Sequence, residues 1–277
     1  DRLSAMMLVL TALLALPSLV YASAAWHRRG QHYHSMFQFL LMGLNGAFLT
    51  GDLFNLFVFF EVLLAASYGL LLHGGGKQRV RGGLHYIAVN LTGSLLFLIG
   101  VSLVYGATGT LNMAHLASMV PALPEAQRLM FQAGAAFMGL AFLIKAGIWP
   151  LSFLLPTAYM AGAAPVAAMF AIMTKVGIYV LLRLSFLMFG IGADASAGFG
   201  AQMLIAGGMA TVIFGFLGVL ASQGLGRIAA HLVLVSSGTL LAAGGFVLAG
   251  GGSQLLASAF YYLLSSTLAT SALFLLI

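Results

Sequence analysis

An all-α, polytopic helical membrane protein is the fold class that this sequence predicts, and three observations predict it. Of the 277 residues, 62% are hydrophobic and only 6% charged, against about 25% charged in an average globular protein. Apolar runs recur along the whole chain, each long enough to cross a hydrocarbon core of roughly 30 Å. The runs are continuous in Leu, Ala, Gly, Phe and Met, without the period-two alternation of a membrane β-barrel.

Reading about 20 residues per span places candidates, in order, near 3–25, 34–50, 53–72, 82–105, 129–160, 164–189, 201–222, 228–249 and 255–277. Residues 1–277 are thus expected to form a single transmembrane domain of about nine spans. The chain opens on Asp1 and runs out inside an apolar stretch at Ile277, so an internal fragment of a longer protein is expected. Without a basic leader region, the first run reads as a true span and not as a signal peptide. The run 129–160 is too long for one straight helix and contains Pro150 and Pro156. Two half-helices with a break between them are expected there. The glycine clusters at 74–76 and 250–252 lack the context of nucleotide-binding motifs and read as turns.

The connections test this count, because Lys and Arg gather on the cytoplasmic side. With the first span starting outside, the inner connections near 26–33, 73–81, 161–163 and 223–227 hold Arg28, Arg29, Lys77, Arg79, Arg81 and Arg227, whereas the outer segments hold Arg2 and Arg128. Six against two supports both count and orientation, and implies a multi-pass protein of the cell (inner) membrane. The net charge of +6 therefore reflects topology. Basic residues are not interleaved with aromatics, so no nucleic acid is expected as a partner. The absence of cysteine excludes thiolate-held iron–sulfur clusters, CxxCH haem attachment and disulfides. No cofactor is expected. The histidines of "HYH" at 32–34 have no acid or cysteine beside them and read as loop residues, not metal ligands.

Three ionisable residues fall deep in the spans: Glu61, Lys145 and Lys175. Helical rise puts Glu61 about 13 Å below Asp52, close to the midplane. Each such charge costs about 2.5–3.5 kcal/mol on insertion scales. Two readings compete, a static structural pair and a proton or ion path, and a lysine stem of about 6 Å is too short for either lysine to reach the interface. Arg183, nearer its helix end, reads as snorkelling. A helix ending at Pro150 leaves its last carbonyls free to stabilise a cation in the final turn, where Lys145 sits, and broken helices at this depth line wet cavities in transporters. Two unit charges about 7 Å apart at an effective dielectric near 20 interact by roughly 2.4 kcal/mol, enough to make one carboxylate a switch for a nearby amine.

At these residues the sequence resembles a known family. The stretches "TGDLFNLFVFFEVLLAASYGLLLHG" (50–74), "VSLVYGATGTLNM" (101–113), "GLAFLIKAGIWPLSFLLPTAYMAGAAPVAAMFAIMTKVGIYVLLR" (139–183) and "GRIAAHLVLVSSG" (226–238) are similar to the antiporter-like subunits shared by Mrp-type cation/proton antiporters and respiratory complex I. The "GDLFNLFVFFE" and "YGATGTLNMA" forms look most like the D-type subunits of the Mrp (Mnh/Pha) antiporters. The resemblance implies a fourteen-helix, inverted-repeat fold, of which this chain would hold the third to eleventh helices. It implies that Glu61 pairs with Lys145 on a broken helix and that Lys175 continues a proton path. It further implies partner membrane subunits, and exchange of Na⁺ or K⁺ for H⁺ by a secondary transporter without catalytic residues. The alternative is a proton-pumping membrane subunit of an NADH:quinone oxidoreductase or membrane hydrogenase, and a non-transporting scaffold is a third.

The sequence departs from the family pattern where Ser152 and Thr157 replace a histidine and an acid, and where His85 and His231 stand in place of a lysine and a tyrosine. His85 and His231, each near a basic connection, read either as interfacial residues or as relay members. With Pro150 and Asp52 they complete the candidate supporting set. Asn45, Asn55, Asn90 and Thr174 are candidates to hold waters between charged sites, or to act as interhelical glue.

Overall fold

The computed structural model describes the backbone of residues 1–277 and all side chains except those of residues 78, 153, 154 and 191. Eleven α-helices follow one another among the described residues: α1 (Arg2–Ala24), α2 (Tyr33–Leu49), α3 (Leu53–Leu72), α4 (Lys77–Thr108), α5 (Met113–Met119), α6 (Glu125–Ala146), α7 (Leu154–Ala161), α8 (Ala164–Phe189), α9 (Ala201–Ala221), α10 (Leu225–Leu248) and α11 (Ser253–Leu275). Eight of them are long and apolar enough to cross a membrane. The 17-residue α2 is slightly shorter, and α6 with α7 makes the expected discontinuous span, so the order of nine crossings matches the one read from hydropathy.

The loops fall on two ends, as alternating spans require. At one end the α2–α3 turn pairs with the α4–α5 loop through the Asp52–Asn112 bridge, with the Leu53 N–H donating to Leu111 O at 2.9 Å and Met113 N–H to Gly51 O at 2.8 Å. At the other, the Trp26 ring lies 4.7 Å from the Arg79 guanidinium, and Arg79 Nε donates to Ala161 O at 3.1 Å. This second end is the basic one.

α8 is the axis of the bundle. Its 18-residue apolar window is wholly buried, whereas those of α4 and α9 are 28% and 22% buried and face outward. Small residues such as Ala167, Ala168, Ala171 and Gly177 let neighbours pack closely on α8, the means by which helices associate in lipid. Flanking helices also approach closely, α4 and α6 among them. A Cβ added at Gly100 would lie 2.7 Å from Gly134 O, and one at Gly134 2.8 Å from Gly100 O.

Two local expectations are corrected. The fourth span, expected over 82–105, is the 32-residue α4, which begins at Lys77. Lys and Arg are good helix formers, so the helix extends beyond the hydrocarbon instead of stopping at its boundary. The long span breaks earlier than Pro150. α6 ends at Ala146 because Gly147 adopts the left-handed conformation (φ 74°). Gly147 N–H then donates to Ile144 O at 3.1 Å and Ile148 N–H to Leu143 O at 3.1 Å, the bond pair of a Schellman stop. Pro150 lies inside the break, after a cis Trp149–Pro150 peptide.

Candidate functional site

Lys145 stands in the last turn of α6 and is 7% exposed. Side chains on a helix lean toward its N-terminus, so the amine is carried back from the capped carbonyls at the break and toward α4. There Nζ donates to Asn90 Oδ1 at 3.3 Å and to the Tyr86 hydroxyl at 3.5 Å, and lies 5.6 Å from the centre of the Tyr86 ring. The Tyr86 hydroxyl is in turn 3.3 Å from Ser67 Oγ on α3. Two of the four orphan carbonyls of α6 are already capped by backbone N–H groups. The Lys145 ammonium is therefore held by α4 side chains.

Glu61, on α3, accepts a short hydrogen bond from the Ser94 hydroxyl of α4. Among the described residues no ion pair joins it to Lys145; the ion pair found is Arg183–Asp1, at 3.1 Å. The connection between Glu61 and Lys145 runs through one face of α4. Tyr86, Asn90 and Ser94 recur every four residues and so share a stripe. A cavity of about 20 Å³ lies beside Lys145, lined by Phe60, Asn90, Ser94, Phe97 and Phe142 among others, and Glu61 is joined to its wall through Ser94. That space accommodates a single water molecule. The rings of Phe60, Phe97 and Phe142 meet edge to face at 4.8–5.9 Å and wall it off.

Lys175 lies mid-way along α8, is 1% exposed, and donates to Ser237 Oγ of α10 at 3.4 Å. The neighbouring Ser236 is 2.8 Å from Ser266 Oγ, which extends the polar contacts to α11. The end of α6 comes close to α8 at Gly177, where an added Cβ would lie 2.9 Å from Phe142 O and 3.2 Å from the Lys145 Cβ. A second cavity of about 20 Å³ sits on this side of Lys145, lined by Tyr86, Asn90, Tyr159, Phe170 and Thr174 among others. Lys145 therefore faces a water-sized space on each side.

The other sequence-predicted residues are not brought into this group. Asp52 caps α3, accepting from Asn55 N–H at 2.9 Å. His85 is exposed and bonds its own helix at Arg81 O, 2.9 Å away. His231 does the same with Arg227 O at 2.8 Å and fits into the niche left by Gly218. Arg183 does not snorkel: Nη1 meets Asp1, Ser4 Oγ at 2.9 Å and the Tyr179 hydroxyl, and Tyr179 also donates to Phe48 O at 3.0 Å. Its helix end is close enough to α1 and α2 for side-chain partners to compete with the interface. Pro150 acts through the break, whose Trp149 N–H is satisfied by Thr211 Oγ1 of α9 at 2.8 Å. The Ser152 hydroxyl is buried without a hydrogen-bond partner among the described residues.

Sequence reading missed Ser94, Ser237 and Thr211, and did not assign Tyr86 to the site. The four-residue spacing of Tyr86, Asn90 and Ser94 was the signal available for two of them. Nothing local marks Ser237 or Thr211.

A bundle of apolar helices that includes a broken one, with ionisable groups at mid-depth, defines a multi-pass membrane protein of the class in which ion paths are found. The chain belongs to the NADH:quinone oxidoreductase/Mrp antiporter, TM family, whose sequence profile matches residues 50–277. It is 65% identical over 242 residues to a protein of Rhizobium meliloti (strain 1021) named as the probable D-type subunit of a K(+)/H(+) antiporter, covering 87% of this chain and 45% of that one. It is 39% identical over 244 residues to the D-type subunit of the Na(+)/H(+) antiporter of Bacillus subtilis (strain 168), covering 87% of this chain and 48% of that one. The fold matches a chain of the Mrp complex from Dietzia sp. DQ12-45-1b with a TM-score of 0.87 at 32% identity, over 99% of this chain and 50% of that one. It matches a chain of an archaeal membrane-bound sulfane sulfur reductase with a TM-score of 0.87 at 28% identity, over 99% and 55%. The chain thus spans about half the length of the curated relatives it matches.

Proposed function

We propose that this chain is the proton-carrying part of a membrane subunit of a multi-subunit monovalent cation/proton antiporter, with Glu61, Lys145 and Lys175 as the proton carriers. The observation that supports it best is the α4 stripe. Asn90 and Ser94 hydrogen-bond the ammonium and the carboxylate separately, and both line a water-sized space beside Lys145. A locked ion pair would hold its proton. Two groups bridged by exchangeable donors and acceptors can pass one.

In this reading the basic end faces the cytoplasm, Na⁺ or K⁺ moves out against inward H⁺, and other membrane subunits complete the complex in the cell membrane. The antiporter names of the relatives support this reading. Each charge crossing 100 mV gains about 2.3 kcal/mol, similar to the roughly 2.4 kcal/mol by which two charges about 7 Å apart interact. The membrane potential is therefore large enough to drive the switch.

The test is cation-induced fluorescence dequenching in everted vesicles carrying the whole complex. Glu61→Gln and Lys145→Met complexes are expected to assemble and to lose exchange; normal dequenching by either removes that residue from the path. The equal TM-score to a sulfane sulfur reductase chain favours a second reading, in which a redox partner powers proton pumping through this chain. Co-purification of flavin or iron–sulfur proteins with it would select that reading.

A further inference from the structure

A cavity of about 310 Å³ opens at the basic end of the bundle, lined by Tyr21, Trp26, Arg79, Tyr159, Pro165 and Phe274 among others. It is large enough for several waters. The small cavity on the α8 side of Lys145 shares one wall with it, the Tyr159 side chain. Tyr159 is 2% exposed, its ring lies 5.7 Å from those of Phe170 and Phe274, and its hydroxyl donates to Phe170 O at 2.7 Å. The aromatic body lies between the two spaces, and hydrogen bonds of its hydroxyl to Phe170 O and to the Thr174 side chain hold it in position.

The mounting of Tyr159 suits a moving part. It sits on the eight-residue α7, between the break after Gly147 and the joint at Gly162. Arg79 Nε fixes the far end of α7 by donating to Ala161 O. The Phe170 carbonyl belongs to a helix and has a second lone pair, so the tyrosine bond can open without unwinding α8.

We propose that Tyr159 is the partition between an access chamber at the basic end and the Lys145 cavity, and that release of its hydroxyl from Phe170 O joins the two. Lys145 then exchanges protons with that side of the membrane through a space that Tyr159 closes again. The idea rests on the transport reading above in taking Lys145 as a carrier, but its test measures water access and not transport.

These 277 residues hold no cysteine, so once any cysteine elsewhere in the polypeptide is replaced a single reporter can be placed among them. Met173→Cys puts a thiol on the Lys145 cavity without touching a hydrogen-bond partner of Tyr159, and Met160→Cys puts one on the chamber. The intact complex in everted vesicles is exposed to Ag⁺ for timed intervals, and the thiol left free is counted by a mass tag on this polypeptide after purification of the assembled complex. With Tyr159 present, the Met173→Cys thiol is expected to react slowly. Tyr159→Phe, which keeps the ring and removes the hydroxyl, is expected to speed it by about five- to tenfold, the population shift set by losing about one net hydrogen bond. Tyr159→Ala is expected to speed it further, and Met160→Cys to react at one rate in every background. Ag⁺ added from the opposite side is expected to give no acceleration.

An unchanged Met173→Cys rate in Tyr159→Phe and Tyr159→Ala overturns the proposal, as does acceleration from the opposite side. If Glu61→Gln still exchanges cations while the reporter responds to Tyr159, the transport reading falls and the partition stands. If Glu61→Gln is inactive and the reporter is indifferent, only the partition falls.

Discussion

Asn90 and Ser94 stand one turn apart on the same face of α4, and through them a single helix holds both the Lys145 ammonium and the Glu61 carboxylate. The two groups are hydrogen-bonded to α4 and, among the described residues, not ion-paired to each other, and this relationship can be tested from either side.

Removing the α4 acceptor should be felt at the lysine. Asn90→Ala is expected to leave assembly intact and to slow exchange about 10- to 100-fold, since hydrogen bonds to charged groups are worth about 1.5–3 kcal/mol. Ser94→Ala acts on the same connection from the carboxylate end. The double substitution is expected to cost less than the two effects added, which a double-mutant cycle on vesicle exchange rates measures.

Lys145→Arg keeps the positive charge but not the chemistry. A guanidinium stays protonated at every physiological pH and is planar where an ammonium is compact. Exchange is expected to be lost in everted vesicles while the complex still purifies intact. Normal exchange with arginine at this position would mean that the charge, and not its proton, is what matters.

The break depends on Gly147. A Cβ there would lie 2.1 Å from Leu155 Cδ1, on a backbone with φ 74°. Gly147→Ala is expected to destabilise the protein by about 1–3 kcal/mol through overpacking and backbone strain, read as a lower melting temperature of the detergent-solubilised complex.

Thr211 supplies the acceptor for the Trp149 N–H. Thr211→Val keeps the shape and leaves that donor unpaired, at an expected cost of about 1–3 kcal/mol. Thr211→Ser is expected to restore most of the stability in the same melting assay, which separates the hydrogen bond from packing.

Much of this architecture is legible in the sequence because bilayer thickness and backbone satisfaction leave few choices. The nine crossings, the two ends and the discontinuous span follow from run length, Lys/Arg placement and the proline pair. Glu61, Lys145 and Lys175 stand out because charge in hydrocarbon is costly. The position of the break was misread, since Pro150 is the louder signal while the left-handed Gly147 stops the helix earlier. The connection between Glu61 and Lys145 is not legible in the sequence. Ser94 looks like any small residue of a membrane helix, and it gains meaning only when Glu61, 33 positions away, is folded against it. Thr211 and Trp149 are 62 positions apart, and no local pattern links them.

The crossing of Gly100 and Gly134 carries a mechanical consequence. Main chain meets main chain there, and Met138, Leu103 and Val104 close around the contact, so the space admits nothing larger than glycine on either helix. A larger side chain at either glycine would wedge the two helices apart, and with them Asn90 from Lys145.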